Sequence, residues 1–319
     1  MSAEILLSIC IPTYNRSFYL DTCLQSIVRQ VGNNDEVEII ISDNVSEDNT
    51  REIANLYVRN YNNVKYFRND TNIGGDKNFI EALKRGNGKY LKLMNDYLGF
   101  KDNCALKTLE IVKTHAESKE VLFFANGLSY LKKKEFHYSK DLNEFLRISS
   151  YWSTWIGSFG IWKEDFWSII ENYNFKTQSF MQTELLFESV ILRKKAVTFS
   201  MEIFISQDVI NKKTGYNFFD LFINTYLNRI IVGLKNNKRI TYRTYVLEKN
   251  RFFTNFIFKW YKRIKIKKDH SIDFDIKGME NVIFKAYKYS PIFYLYLLYL
   301  PFYMIGFYIK KLIRFFKSN

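Results

Sequence analysis

The sequence predicts an α/β protein with a mostly parallel sheet and flanking helices, followed by a C-terminal helical region. Three observations support this prediction. Apolar residues in the first hundred positions alternate between strand and helix patterns, polar turn residues follow the strand segments, and basic charge collects near the end of the chain. With 319 residues, 47% of them hydrophobic, the chain can bury one large core or two modest ones.

The first hundred residues contain four strand-like segments separated by three helical ones. Residues 5–13 are continuously apolar up to Pro12, as in a buried parallel strand. In the segment that follows, Leu20, Leu24 and Ile27 fall on one helical face. Further strands are predicted at 37–43, 64–69 and 89–96, and further helices at 47–60 and 75–86. This β-α-β order gives parallel strands with right-handed crossovers, and such sheets bind ligands at the carboxyl ends of their strands.

The stretch from 104 to 190 predicts a helix at 104–115, a strand within 120–131 and an aromatic segment that becomes helical near 180. The aromatic segment contains Trp152, Trp155, Trp162 and Trp167. A core position is the default interpretation of each tryptophan, and a place in the wall of a sugar-binding pocket is the alternative.

Polar, turn-forming residues follow all four of the early strands. They are Pro12 to Asn15, then Asp43, Asn44 and Ser46, then Asn72, Gly74 and Gly75, then Asn95 to Tyr97. Any one of these clusters is explained by an ordinary turn, since Asn, Asp, Gly and Ser fill turns for local reasons. Their recurrence at four strand ends favours a ligand site along one edge of the sheet.

Several common chemistries lack their sequence signals. No G-x-G-x-x-G motif follows a strand and no P-loop motif occurs, which argues against dinucleotide and P-loop sites. The three histidines are scattered, which argues against a His-based zinc site. Three widely spaced cysteines and an N-terminus without an apolar leader predict a reduced, cytoplasmic compartment with no cleaved signal.

Four segments, in this order and spacing, resemble the inverting family 2 glycosyltransferases, which have the GT-A fold. They are SICIPTYNR at 8–16, EIIISDNVSEDNT at 38–50, NIGGDKNFIEAL at 72–83 and GKYLKLMND at 88–96. The resemblance covers roughly residues 5–200. It implies a nucleotide-sugar donor, of the UDP or dTDP type, bound along the strand ends.

The resemblance also implies roles for particular residues. Asp43 would accept a hydrogen bond from N3–H of uracil or thymine, because an ionised carboxylate accepts and never donates. The first block would border the base, and the third block would border the ribose and phosphates. The implied donor-binding residues are Pro12, Thr13, Tyr14, Asn15, Asp43, Asn44, Asn72, Gly74, Lys77, Asn78, Asn95 and Asp96.

The fourth block departs from the family pattern. The family commonly has D-x-D there, whereas this chain has Asn95, Asp96 and Tyr97. Asp96 is the expected ligand of a divalent cation, Mg²⁺ or Mn²⁺, but one carboxylate binds such a cation less tightly than two. Lys77, or a basic residue from the later half, could replace part of the missing positive charge.

An inverting transfer needs a general base that takes the proton of the acceptor hydroxyl. Glu184 matches the family position best and Asp165 is the second candidate. A plain surface carboxylate is the alternative for each. The stretch from Gly157 to Trp162 would be an acceptor-side loop.

The positive charge belongs to the C-terminal region. Residues 249–319 contain 15 Lys/Arg against four Asp/Glu, out of a net charge of +14 for the chain. Apolar residues at helical spacing, interleaved with lysines, predict a basic helix within 250–268 that lies in an anionic membrane surface.

An uncharged segment at 290–309 is long enough to span a bilayer, but its prolines and tyrosines favour an interfacial or re-entrant position. A buried helical hairpin of the soluble fold is the alternative, and nucleic-acid binding is disfavoured because solid apolar runs have no use there.

The sequence therefore predicts a glycosyltransferase that extends a lipid-linked glycan in bacterial O-antigen or capsule synthesis. It would act at the cytoplasmic face of the inner membrane as a peripheral or monotopic protein. The predicted domains are a GT-A domain at 1–200, a helical connection at 201–248 and a membrane-associating region at 249–319. The alternative function is a non-catalytic relative that binds a sugar nucleotide or glycan with an eroded D-x-D motif.

Overall fold

The computed structural model describes residues 4–128, 131, 134–175, 177, 179–207, 217–266 and 275–318. Its strands are β1 Leu7–Thr13, β2 Val37–Asp43, β3 Val64–Arg68, β4 Tyr90–Leu93, β5 Leu98–Phe100, β6 Val121–Phe124, β7 Phe136–Ser139, β8 Gly160–Trp162, β9 Ala196–Phe199 and β10 Phe204–Ser206. Its helices are α1 Ser17–Val31, α2 Thr50–Asn60, α3 Gly75–Lys84, α4 Cys104–His115, α5 Leu142–Ser149, α6 Lys163–Asn172, α7 Met181–Arg193, α8 Phe218–Asp220, α9 Val232–Asn236, α10 Tyr242–Phe252, α11 Phe258–Lys265, α12 Met279–Tyr287 and α13 Pro291–Ser318. Short 3₁₀ turns occupy Ser150–Thr154 and Ile156–Ser158, and π-helical turns occupy Leu221–Ile231 and Phe253–Ile257.

The main sheet has five strands in the order β3-β2-β1-β4-β8. The first four are parallel to one another, and β8 pairs with β4 in the antiparallel sense. β1 and β2 are buried along their whole length, and α1 packs Leu20, Leu24 and Ile27 into the same core. The predicted α/β fold with a mostly parallel sheet is confirmed, and the predicted helix 104–115 has the bounds of α4.

Two smaller sheets were not predicted. β10 pairs with β5, and β9 lies between β6 and β7. Each has strands of three or four residues. The three-residue strands β5 and β10 are shorter than the run of at least about four residues from which a strand is recognised in a sequence.

The chain divides into two compact units. The first comprises Met1–Ile210 and Leu234–Thr241, and the second comprises Asn211–Gly233 and Tyr242–Asn319. The sequence predicts boundaries at 200 and 248, whereas the first unit extends further and also includes the later segment Leu234–Thr241.

In the second unit, the apolar face of the predicted basic helix is buried. Phe252, Phe253, Ile257 and Phe258 are at most 6% exposed, and the Phe253 ring packs against Tyr287 with centroids 4.6 Å apart. The expectation that this face lies open to a membrane is therefore wrong for these four residues, whereas Phe256, Trp260 and Ile264 are half-buried. A helix with many aromatic residues can bury them against neighbouring helices as readily as in a membrane interface, and sequence periodicity does not distinguish the two.

The exposed apolar surface of the second unit lies instead on α13. Its segment Pro291–Lys310 is long and apolar enough to cross a membrane by length and composition, and only 6% of it is buried. Leu295, Leu298 and Phe302 are 64–74% exposed. The alternative of a buried core hairpin does not describe this helix.

A buried glutamate joins the amino-terminal edge of the main sheet to the turn before β4. Glu38 is 1% exposed and accepts hydrogen bonds from the Ser8 hydroxyl, the Lys65 ammonium and the backbone amides of Asn87 and Gly88. Burial alone would raise the pKa of Glu38, but the bonds from Lys65, Ser8 and Asn87 outweigh it and lower the pKa. Because the folded-state pKa is lowered, this stabilisation is present above the unfolded pKa and is lost as the pH falls through the folded value.

We expect Glu38→Gln to lower the free energy of unfolding by about 2 kcal/mol at pH 7, because a buried charged acceptor with four donors is replaced by a neutral amide. The difference from the wild type should shrink as the pH is lowered below about 4. Urea unfolding at pH 7 and at about pH 3 measures both effects. The control is Glu36→Gln, which removes a half-exposed pair with Lys113 and should change stability by less than about 1 kcal/mol. An equal loss for the two variants, or a gap that widens in acid, would contradict this account.

Candidate donor-binding site

The carboxyl ends of β1, β2, β3 and β4 lie at one edge of the sheet, which we call the donor edge. Thr13, Asp43, Arg68 and Leu93 mark the four strand ends. The register places Thr13 beside Asp43 and Asp43 beside Arg68. The donor edge therefore brings all four sequence blocks together.

Asp43 is the most heavily bonded carboxylate of this edge. It is fully buried, and its Oδ1 accepts from the amide and hydroxyl of Ser46 at 2.9 and 2.6 Å. Its Oδ2 accepts from the Tyr66 hydroxyl at 2.7 Å and from Arg68 Nη1 at 2.8 Å. Burial, together with the bond to Asp43, raises the pKa of Tyr66 to about 12. Four donors fill the acceptor positions of the carboxylate, so a base N–H can bind Asp43 only if Tyr66 or Arg68 turns away.

The loop after β1 is tied to the loop after β2. The Asn15 backbone, with φ of 51°, donates its amide to the Ser46 hydroxyl, and its side chain accepts from the Glu47 amide. The Ser17 amide donates to Asp48 at 2.9 Å, at the start of α1. Tyr14 projects from this loop and is 44% exposed. The loop therefore presents an accessible aromatic ring one residue after Thr13, the register partner of Asp43, and such a ring suits stacking on a nucleotide base.

The third block is joined to the second through Asn44. The Asn44 side chain donates to Asn72 Oδ1 at 2.7 Å and accepts from the Ile73 amide at 3.0 Å. Gly74, with φ of 83°, leads directly into α3, a backbone conformation that favours glycine. These bonds hold the turn before α3 against the end of β2.

Two residues predicted to border the ribose and phosphates differ in exposure. Asn78 is 2% exposed and exchanges hydrogen bonds with Ser42 at 2.7 and 2.8 Å, and it accepts a further bond from Asn69. Asn78 therefore joins α3 to β2 beneath the surface. Lys77, the next residue toward the amino end of α3, is exposed.

Residues of the first block and residues at the end of β4 form a cluster, which we call the Asp96 cluster. Its five members are Thr13, Arg16, Asn95, Asp96 and Tyr97. Asp96 Oδ2 accepts from the Thr13 hydroxyl at 2.9 Å, and Asp96 Oδ1 accepts from Arg16 Nη1 at 3.1 Å. The Arg16 guanidinium lies over the Tyr97 ring, 5.6 Å from its centroid, and the Asn95 amide donates to the Tyr97 hydroxyl at 2.7 Å. Burial raises the pKa of Asp96, against the lowering effect of Arg16 and Thr13.

The Asp96 cluster does not fit the metal-binding pattern of the D-x-D motif. Asp96 is its one carboxylate, and both of its oxygens already accept hydrogen bonds. Asn95 directs its side-chain amide to Tyr97, and a phenol is a poor substitute for a carboxylate toward Mg²⁺ or Mn²⁺. Among the described residues, no group of three or more His, Cys, Asp or Glu side chains could hold a metal ion.

The aromatic segment before β8 packs beside this cluster. Because β8 runs antiparallel to β4, its first residue, Gly160, lies opposite Lys92 near the donor edge. A Cβ atom at Gly157 would lie 2.6 Å from the Trp155 ring and 3.0 Å from Leu98, so glycine lets this turn approach the residue after Tyr97. Trp155 is half-buried there, whereas Trp162 is 2% exposed in the core.

A buried lysine holds the same turn. Lys92 is fully buried in β4 and donates to the carbonyl oxygens of Leu93, Gly157 and Phe159 at 3.1, 2.7 and 2.8 Å. Burial lowers its pKa to about 7, while three carbonyl acceptors favour the protonated amine. Lys92 thus fixes residues 157–159 next to the Asp96 cluster.

Helix α7 starts against this segment. Gln182 donates to the Thr154 carbonyl at 3.0 Å and Thr183 donates to the Ser153 carbonyl at 3.2 Å. Glu184 follows directly and is 2% exposed. It accepts from the Tyr173 hydroxyl at 2.7 Å and from the Thr177 amide and hydroxyl at 3.0 and 2.9 Å. Tyr173 and Thr177 therefore hold Glu184 in the first turn of α7, directly after the two residues that bond to Ser153 and Thr154.

Asp165 lies at the opposite edge of the sheet. The end of β8, Trp162, is opposite Tyr90 at the beginning of β4, and Asp165 follows it in the first turn of α6. Arg193 binds both oxygens of Asp165, at 2.9 and 2.6 Å. Burial raises the pKa of Asp165, with Arg193 opposing. The antiparallel direction of β8 separates Asp165 from Asp43 and Asp96, and its ion pair accounts for its burial.

Sequence reasoning did not assign a role to Arg16, Tyr66 or Arg68. Arg16 is the last residue of the first block, and Tyr66 and Arg68 lie on β3, the edge strand of the sheet. The available signal was the position of Arg16 and Arg68, two charged residues that lie after or at the end of a strand. Their partners became evident only when the sheet register placed them beside those carboxylates.

The donor edge thus combines four parallel strands with polar ends, a buried carboxylate at two of these ends, Asp43 and Asp96, and an exposed tyrosine, Tyr14. Residues 8–161, just under half of the chain, match the family described as Glycosyl transferase family 2. This match agrees with the resemblance that the four sequence blocks indicate.

Particular relatives agree with the family match. The chain is 38% identical over 123 residues to the abequosyltransferase RfbV of Salmonella typhimurium. The aligned residues are 38% of this chain and 36% of that protein. It is 30% identical over 91 residues to the GalNAc(5)-diNAcBac-PP-undecaprenol beta-1,3-glucosyltransferase of Campylobacter jejuni, covering 28% and 29%. The matched stretches thus span about a third of the length of these relatives.

A solved structure extends the fold comparison over more of the chain. The structure of S. aureus TarS 1-349 in complex with UDP-GlcNAc has a TM-score of 0.61 and 16% identity, and covers 88% of this chain and 82% of that one. At this identity the likeness shows the GT-A fold alone. The predicted fold class is confirmed.

Proposed function

We propose that this protein is an inverting glycosyltransferase that moves a sugar from a nucleotide donor to a lipid-linked glycan in bacterial surface polysaccharide synthesis. The observation that carries the proposal is the connected hydrogen-bond network of the donor edge. Asn15 and Ser46 link the first block to Asp43, Asn44 and Asn72 link the second block to the third, and Thr13 links the first block to Asp96 in the fourth. One network thus joins residues of all four blocks at a single edge of the sheet.

The donor would bind with its base near Tyr14 and Asp43 and its diphosphate near the Asp96 cluster. Tyr14 supplies an exposed ring, and Asp43 is the acceptor suited to N3–H of uracil or thymine once Tyr66 or Arg68 has moved. A UDP or dTDP donor is therefore favoured. The relative from Campylobacter jejuni carries PP-undecaprenol in its name, which supports a lipid-linked acceptor for this chain as well.

The reaction requires one displacement at the anomeric carbon. The acceptor hydroxyl oxygen forms the new bond to that carbon, and the bond from carbon to the diphosphate oxygen breaks. The bonding electron pair leaves with the nucleoside diphosphate, and Glu184 accepts the hydroxyl proton. Glu184 suits this role because Tyr173 and Thr177 orient its carboxylate, although one of these donors must give way to the acceptor.

The proposal is tested by calorimetric titration with UDP, dTDP, GDP and CDP, followed by assays for transfer from the matching sugar nucleotides in the presence of membranes. Selective binding of a uracil or thymine nucleotide and formation of a glycosylated lipid are expected. Absence of binding to all four nucleotides would refute the assignment.

A second candidate function is non-catalytic binding of a sugar nucleotide or glycan. The observation that favours it is the single carboxylate at positions 95–97. The binding function predicts that nucleotides bind without sugar transfer, and that their affinity does not change when Glu184 is substituted. Transfer of sugar by the wild type would exclude this candidate.

We also propose that α13 associates with an anionic membrane at the cytoplasmic face. We expect the double variant Leu298→Glu/Phe302→Glu to lower binding to phosphatidylglycerol-containing vesicles at least about tenfold, because two exposed apolar residues on one helical face become charged. Co-sedimentation of the full chain with vesicles measures it. The control is Leu192→Glu on α7, an exposed leucine in the first unit. Equal sedimentation of all three proteins would show that α13 is not the attachment site.

A further inference from the structure

Arg16 contacts Asp96 at the position where the family pattern places metal ligands. Asp96 is 3% exposed and lies beneath Arg16, whose side chain is 39% exposed. A ligand that approaches the Asp96 cluster from solvent therefore meets the guanidinium before the carboxylate. This arrangement is the reverse of a metal site, in which carboxylates face the incoming cation.

Three contacts hold Arg16 in that place. Its Nη1 donates to Asp96 Oδ1 at 3.1 Å, and its guanidinium lies 5.6 Å from the centroid of the Tyr97 ring. Its carbonyl accepts from the Leu20 amide at the start of α1. The Tyr97 ring is itself held by the bond from Asn95. Asn95 and Tyr97, the two departures from the D-x-D pattern, are thus the residues that support the arginine.

The chemistry of arginine suits a diphosphate. A guanidinium has five N–H groups in a planar fork, and one of them is bonded to Asp96 among the residues that the structure describes. The remaining N–H groups, at the edge of the guanidinium plane, can bind two phosphate oxygens at once, and such charge-assisted pairs are stronger than neutral hydrogen bonds. The positive end of α1, which begins at Ser17, adds to the same field.

We infer that Arg16 takes the place of the divalent cation at this site, so that the diphosphate of the donor is bound, and its charge stabilised as the leaving group departs, without a metal ion. This inference rests on the proposed function and specifies how its donor site works. It assigns the missing positive charge to the first sequence block, whereas sequence reasoning looked for it at Lys77 or in the later half of the chain.

The test is calorimetric titration of the full chain with UDP, once with EDTA and once with Mn²⁺. We expect dissociation constants for the wild type that agree within about threefold under the two conditions. Arg16→Gln should weaken UDP binding at least about tenfold, while binding of uridine, which lacks phosphate, should change less than about twofold. Arg16→Lys should retain part of the UDP affinity, because lysine keeps the charge without the planar fork.

The control variant is Arg29→Gln, which removes an exposed arginine of α1 that pairs with Asp102. Its UDP affinity should equal that of the wild type. If UDP binds wild type ten times more tightly with Mn²⁺, or if Arg16→Gln leaves UDP affinity unchanged, the arginine inference is overturned while the transferase proposal stands. If UDP, dTDP, GDP and CDP all fail to bind wild type, both are overturned. A parallel loss of uridine binding in Arg16→Gln would indicate a disturbed loop and would also overturn the inference.

Discussion

Replacement of Glu184 by glutamine is expected to lower the rate of sugar transfer by roughly 10²- to 10⁴-fold, the usual contribution of a positioned general base. Glutamine keeps the shape of the side chain and can still accept from Tyr173, but it does not take a proton. Binding of the nucleoside diphosphate should stay within about twofold of wild type, because Glu184 acts on the acceptor. Initial transfer rates at saturating donor, together with calorimetric binding of UDP, measure the two quantities.

The matched control is Glu188→Gln, four residues further along α7 and half-buried. It should retain transfer within about threefold of the wild type, since we assign no role to this carboxylate in the reaction. Thermal unfolding of both variants checks that the fold is intact. If Glu184→Gln transfers sugar at more than a tenth of the wild-type rate, the hydrogen bonds to Tyr173 and Thr177 are the whole role of Glu184 and the base lies elsewhere.

Replacement of Asp43 by asparagine is expected to affect both the fold and the donor site. Asparagine offers one acceptor oxygen, and its amide would face donors from Ser46, Tyr66 or Arg68. Loss of these buried bonds should lower the free energy of unfolding by about 3 kcal/mol. The affinity for UDP should fall at least about tenfold, because the loop that carries Tyr14 loses its support as well as the base acceptor.

Urea unfolding measures the loss of stability, and titration with UDP at a temperature well below the unfolding transition measures the loss of affinity. Asp102→Asn is the control, because it removes an aspartate of an exposed ion pair with Arg29 and should leave both quantities unchanged. Stability and UDP affinity equal to wild type in Asp43→Asn would refute the role given to the Asp43 network.

Much of the fold could be predicted from periodicity. The strands β1 to β4 and the helices α1 to α4 have long apolar patterns, and the predicted elements coincide with them within a few residues. β5, β8 and β10 have three residues each, too few for an alternating pattern. The burial of Phe252, Phe253 and Ile257 was not predictable, because a basic aromatic helix presents the same pattern to a membrane and to neighbouring helices.

The sequence by itself determined the class of this protein. Four short blocks follow four apolar strands, and parallel strands place their carboxyl ends at one edge, so the donor edge follows from chain order and pattern alone. Only the tertiary structure decided which side chains act there. The separation of Asp165 depends on the direction of β8, and the pairing of Arg16 with Asp96 joins residues 80 positions apart. Contacts of this kind depend on sheet register and side-chain direction, which a single sequence does not encode in any local pattern.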